Sequence, residues 1–184
     1  YEATGAIKAR LFVSSDCPDT DFTVKLTDVY PDGRSMLISD GILRMRNRGG
    51  ADHWEFMEPG EIYEVEIDLW STSYISNTCH KIMIAISSSN YPRFLANPNT
   101  VDPMAQNTTY NIAQNTIYLD SDHPSCIILP QITKQQLKTQ TNGNQYNDNS
   151  GFLNIFQNSK LEKLIQKSIN SLTNKVLEEF ALFE

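Results

Sequence analysis

Long hydrophobic runs are missing from this sequence. No apolar stretch approaches the roughly 18–20 residues a membrane-spanning helix needs, so no span of that kind is expected. Positive charge is also in short supply: 15 Lys and Arg stand against 22 Asp and Glu, giving a net charge of -7 and a pI near 4.9. Phosphate backbones are bound by clustered cations, which argues against a nucleic-acid partner. Cysteine is scarce and odd in number. Cys17, Cys79 and Cys126 lie far apart and never in a CxxC spacing, so neither a zinc site nor a disulfide scaffold is indicated. They read as small buried or half-buried thiols, with one bridge left open.

Catalytic signatures are missing too. There is no Gly-x-Ser-x-Gly segment for a strained nucleophile turn, and the eight glycines never form a phosphate-cradling loop. His53, His80 and His123 show no HExxH spacing. No catalytic residue and no cofactor is therefore expected. The chain opens at Tyr1 without a charged-then-apolar leader, which leaves its compartment unassigned, the cytoplasm slightly favoured, and suggests a piece of something longer.

What is present is a two-residue period. Of the 184 residues, 40% are hydrophobic, enough for one packed domain plus an appendage. Ile7, Ala9, Leu11 and Val13 alternate with Lys8 and Arg10, as in a half-buried strand. Phe22, Val24 and Leu26 repeat the pattern, and Pro31-Asp32-Gly33 supplies a turn. Met36 and Ile38 begin a third strand, and Ile42 to Arg46 reads as a separate extended piece. After the Glu58-Pro59-Gly60 turn, Ile62 to Leu69 alternate again. Ile82, Ile84 and Ile86 form the clearest strand, and 116–119 and 126–129 close the series. Seven or eight short strands without a helical pattern predict an all-β antiparallel sandwich or barrel.

Three segments depart from that period. Residues 87–115 are rich in Ser, Asn and Pro, with Pro92, Pro98 and Pro103 blocking regular ladders, so they form a functional or ordered excursion. Residues 139–150 are polar and low in complexity, as a linker is. Beyond it, Leu161, Ile165, Ile169, Leu172, Val176 and Phe180 make one apolar stripe at helical steps. The expected division is a β-domain over 1–138, a linker over 139–150 and an amphipathic α-helical tail over 151–184. Such a helix is marginal alone and needs a surface, either on its own protein or on a second copy.

Several constellations invite chemical readings. Asp16, Asp19 and Asp21 could supply oxygens to a hard cation, but such residues more often cap their own loop. His123, Ser125 and an Asp could be assembled into a triad in any serine-rich chain, and a structural turn is the plainer reading. Trp54, Trp70, Tyr74 and Tyr91 could stack on sugars, although aromatics of an all-β domain are more commonly core or interface residues. Asn107-Thr108-Thr109 is a glycosylation sequon that matters only in a secreted protein.

Taken together, a set of motifs is more specific. Ala9-Arg10-Leu11-Phe12-Val13-Ser14-Ser15-Asp16, then Asp19-Thr20-Asp21-Phe22, then Leu26-Thr27-Asp28-Val29-Tyr30-Pro31-Asp32-Gly33-Arg34 occur in order. Asp68-Leu69-Trp70-Ser71-Thr72-Ser73, Ile86-Ser87-Ser88-Ser89-Asn90-Tyr91-Pro92-Arg93-Phe94 and Asn97-Pro98-Asn99-Thr100 continue them. His123-Pro124-Ser125 and Ile127-Ile128-Leu129-Pro130 follow. This order resembles the C-terminal domain of the X-Pro dipeptidyl-peptidase, cocaine esterase and α-amino-acid ester hydrolase family. Two departures stand out: Cys79 precedes His80-Lys81-Ile82 where the family usually has Gly, and Val101 follows Thr100 where Gly is common.

The resemblance implies a jelly-roll β-sandwich, galactose-binding-domain-like, attached to an α/β-hydrolase catalytic domain that carries the Ser, Asp and His triad. The chain is then a non-catalytic accessory domain that packs on that domain and helps to shape its substrate pocket. The alternatives are a free-standing carbohydrate- or peptide-binding module and a helix-mediated homo-oligomerisation module. Arg93, Asn97, Asn99, Tyr91 and Trp70 are the candidates for fixing the 87–115 excursion or for contacting the catalytic domain.

Overall fold

The computed structural model describes residues 1–103 and 109–130. Seven strands and one 3-10 turn follow in the order β1 (Glu2–Ser15), β2 (Asp21–Val29), β3 (Ser35–Arg44), the turn Met45–Asn47, β4 (Tyr63–Ile75), β5 (Lys81–Ser87), β6 (Asn115–Tyr118) and β7 (Cys126–Ile128). All pairings are antiparallel. In one sheet β1 is the spine: β4 runs along one edge, while β7 pairs with Lys8 to Arg10 and β6 with Phe12 to Ser15 on the other. The Ser125 hydroxyl closes the gap between those two short strands, accepting from Phe12 N at 2.9 Å and donating to Tyr118 O at 2.6 Å. The second sheet has the order β3-β2-β5.

The alternation read from the sequence sets the layers. Ile7, Ala9, Leu11 and Val13 of β1 and Val65, Ile67 and Leu69 of β4 face Phe22, Val24 and Leu26 of β2 in one apolar core. On the outer face of the first sheet, Lys8 pairs with Glu66 at 2.7 Å and Arg10 with Glu64 at 3.8 Å, both diagonally across strands.

Residues 36–38 and 42–46, expected as two strands, are joined in β3, with only Met45 and Arg46 leaving it. The Ser39-Asp40-Gly41 step looks like a break but serves the packing. A Cβ built on Gly41 would overlap the Asp68 carbonyl oxygen and sit 3.1 Å from Ile67 Cγ2. Glycine lets β3 lie against β4 at this corner, where Ser39 Oγ also donates to Leu69 O. Met45 and Arg46 turn inward because Met45 N bonds Thr20 O at 2.9 Å and Arg46 N bonds Asp19 Oδ1 at 2.8 Å. Among the described residues no helix is long and apolar enough to cross a membrane. The 139–150 linker and the 151–184 tail lie outside the described residues, as do Asn107 and Thr108 of the sequon.

Candidate domain-docking face

The excursion after β5 is held down by buried charge. Asp19 and Asp21 stand two residues apart, and Arg44 and Arg46 stand two apart beside them. Arg44 grips Asp21 with two bonds, Nε to Oδ1 at 2.9 Å and Nη2 to Oδ2 at 2.8 Å. Arg46 donates through Nε to Asp19 Oδ2 at 2.6 Å, and both side chains are buried, 2% and 0% exposed. Each arginine then reaches into the excursion. Arg46 donates to Asp102 O at 3.0 Å and to Thr100 O, and Arg44 donates to Leu95 O at 3.2 Å. Trp54 and Phe56 stack on the Arg46 guanidinium, 5.0 and 5.3 Å from it. Burial pushes the Asp21 carboxyl above its usual range, opposed by the bonds from Arg44 and Asn97, while its bond to Asp21 raises Arg44.

Asn97 joins the loop to both acids, its Nδ2 donating to Asp19 Oδ2 at 2.8 Å and Asp21 Oδ1 at 2.7 Å. Its Oδ1 accepts from Asn99 N at 2.9 Å in an Asx turn. Asn99 takes a left-handed conformation, φ 60°, and donates through Nδ2 to Asn111 O at 2.7 Å. Arg93 pairs with Asp40 of β3 at 3.0 Å, beside Asn90 Nδ2 at 2.9 Å from the same oxygen. The loop then presents apolar side chains outward: Tyr91 is 65% exposed and Leu95 72%. Ile42, Leu43, Arg44, Asn47, Arg93, Phe94 and Leu95 line an open groove of about 490 Å³.

Trp70 lies on β4, the strand that packs beside β3. Between Ala6/Ser71 and Lys8/Asp68, β4 carries one residue more than β1, a β-bulge. Trp70 sits in it at φ 68°, a left-handed conformation that is an outlier for a bulky residue and costs about 1–3 kcal/mol. Asp68 Oδ1 accepts from Trp70 N at 2.8 Å and holds the bulge, and the indole is 70% exposed.

The sequence expectations meet this geometry unevenly. The knot at Asp16, Asp19 and Asp21 does not cap its own loop: Asp19 and Asp21 face arginines from the end of β3, and Asp16 Oδ1 accepts from Gln114 N at 2.7 Å. Trp54, Trp70 and Tyr91 are surface residues, not core. Cys79 is exposed, contrary to the expected burial, while Cys17 and Cys126 are buried; all three are free thiols. At φ 71° Cys79 occupies the positive-φ turn where relatives were expected to carry Gly. Arg44 and Arg46 were missed, because they stand 23 to 27 residues from the acids they hold and only the strand pairing brings them together.

Neither histidine cluster is arranged for nucleophilic catalysis. His80 Nδ1 lies 2.7 Å from Asp28 Oδ2, but Tyr74 OH and Ser76 Oγ also donate to that carboxylate, at 2.7 and 3.0 Å, rather than to the ring. A triad needs its hydroxyl on the imidazole. Burial alone would raise Asp28; the bonds from His80, Tyr74 and Ser76 outweigh it and lower the carboxyl, while Tyr74 is pushed up to about 12, chiefly by its bond to Asp28. His123 pairs with Asp120 at 3.1 Å, and the buried Ser125 hydroxyl is taken by backbone groups.

Residues 1–128 match the X-Pro dipeptidyl-peptidase C-terminal non-catalytic domain. The chain belongs to this family. Cocaine esterase of Rhodococcus sp. is 47% identical over 135 residues, covering 72% of this chain and 24% of that protein. Among solved structures, an aminopeptidase from a marine sediment archaeon of the Thaumarchaeota aligns with a TM-score of 0.66 at 28% identity, covering 72% of this chain and 24% of that one. An alpha-amino acid ester hydrolase aligns equally well, TM-score 0.66 at 27% identity, over 70% of this chain and 23% of that one. This C-terminal domain thus spans about a quarter of the relatives it matches, and the family match ends before the 139–150 and 151–184 segments.

Proposed function

We propose that this domain works as the accessory β-domain of a serine α/β-hydrolase, docking on the catalytic domain of the same parent protein and forming part of its substrate-pocket wall. Its two sheets are read as a jelly roll of the galactose-binding-like type. The observation that carries the proposal is the 88–103 loop: its backbone is tied down by Arg44, Arg46 and Asn97, yet it turns Tyr91 and Leu95 to solvent beside an open groove. A rigid loop with outward apolar side chains lowers the ordering cost of association. The partner is inferred from length, since about three quarters of a relative such as cocaine esterase lies outside the matched region. Arg93, Asn97, Asn99, Tyr91 and Trp70 are proposed to form or support the docking face. The parent's substrates are proposed to be acyl esters or X-Pro peptides, the chemistry named among its relatives.

The test compares the 184-residue chain, the parent and the parent's catalytic domain alone on one activated ester. Turnover is expected from the parent, none from the chain, and from the catalytic domain only with a shortened half-life. An ester-cleaving chain, or a catalytic domain indifferent to its removal, overturns the proposal.

A further inference from the structure

Trp70 combines three properties that nothing inside this domain requires. Its backbone is left-handed at φ 68°, its ring is 70% exposed, and no ring or cation stacks on it among the described residues. Glycine or asparagine would fit that conformation with less strain. The bulge is nevertheless fixed from three sides: Asp68 Oδ1 accepts from Trp70 N, Ser39 Oγ donates to Leu69 O, and Gly41 brings β3 against the Asp68 carbonyl. Strain maintained by that many contacts, ending in a bare indole, is accounted for by something the indole meets.

Its position says what that is. Gly41 touches the bulge, and the next residue, Ile42, lines the groove with Arg93, Phe94 and Leu95. The strand that carries Trp70, β4, packs beside β3, whose Ile42 and Leu43 line that groove. We propose that Trp70 is the anchor of the docking face: its ring enters an apolar recess of the parent's α/β-hydrolase domain. Tryptophan is the residue type most often found to dominate such contacts, because one rigid ring buries a large area. This inference rests on the docking reading of the preceding section.

The two roles of Trp70 predict effects of opposite sign. In the 184-residue chain, Trp70→Gly relieves the strain and raises the melting temperature by about 2–4 °C. In the parent, the same change shortens the half-life of ester hydrolysis at elevated temperature about tenfold, while Trp70→Phe stays within about twofold of wild type. Leu95→Asp, also on the docking face, shortens it as well. If Leu95→Asp does so and Trp70→Gly does not, docking stands and the anchor is wrong. If neither does, the docking reading itself fails. A lower melting temperature for Trp70→Gly in the chain, or binding of a glycan or a second copy through Trp70, also overturns the proposal.

Discussion

Arg46 and Asp19 form an ion pair with almost no access to water: Nε and Oδ2 are 2.6 Å apart, and the side chains are 2% and 0% exposed. Both ends are further satisfied, Asp19 by Arg46 N and Asn97, Arg46 by the Thr100 and Asp102 carbonyls. Breaking one side leaves an unpaired buried charge, which costs about 3–5 kcal/mol. Asp19→Asn is therefore expected to lower unfolding stability by that amount in urea titrations, and the loss should shrink sharply in an Arg46→Met background. Equal losses in both backgrounds would show that the two residues do not act as a pair.

Gly41 is required by contact, not by a turn. Gly41→Ala places a methyl group on the Asp68 carbonyl oxygen, and overpacking of that kind costs about 1–3 kcal/mol. A urea midpoint unchanged from wild type would mean that β3 and β4 can part at this corner.

The Asp28 and Tyr74 pair predicts decline at both ends of the pH scale. The Asp28 carboxyl is lowered from 3.8, so its contribution is complete above that value and disappears as pH falls through the native one. Tyr74 is raised from 10.0 to about 12, so its contribution is complete below pH 10 and disappears as pH rises toward 12. Asp28→Asn should flatten the acid limb, and Tyr74→Phe the alkaline one, in melting temperatures taken across pH. Asp21, raised by burial, runs opposite to Asp28 on the acid side and softens the first limb. Limbs unaltered by either change would remove this pair from the account.

The free thiols should separate by access. Cys79 is exposed, whereas Cys17 and Cys126 are buried and burial, then Asp16, pushes the Cys17 thiol up to about 11. A disulfide reagent is expected to modify one thiol per native chain and three after denaturation. Fast modification of Cys17 in the native chain would contradict its placement.

How much the sequence disclosed follows from which interactions are local. Alternation at Ile7 to Val13 and Ile82 to Ile86 exposed the strands because side-chain direction depends only on the period. The Asn97 to Asn99 Asx turn was readable for the same reason, its donor and acceptor being two residues apart. Gly41 misled because a glycine that admits a neighbouring strand has the same local appearance as one that makes a turn. The arginines that hold Asp19 and Asp21 come from 23 to 27 residues away, so the acids showed themselves as a knot while their partners did not. The bulge at Trp70 arises from register between β1 and β4, a quantity with no local sign.

The role of β1 as a spine has a consequence for biosynthesis. It is made before every strand it pairs with, and those partners lie at Tyr63–Ile75, Asn115–Tyr118 and Cys126–Ile128. Pairing at such separations is slow because long loops must close first. During translation the β1 edge that takes β6 and β7 stays open until the chain through Ile128 has emerged, so a nascent chain of this kind depends on whatever shields that edge in the interval.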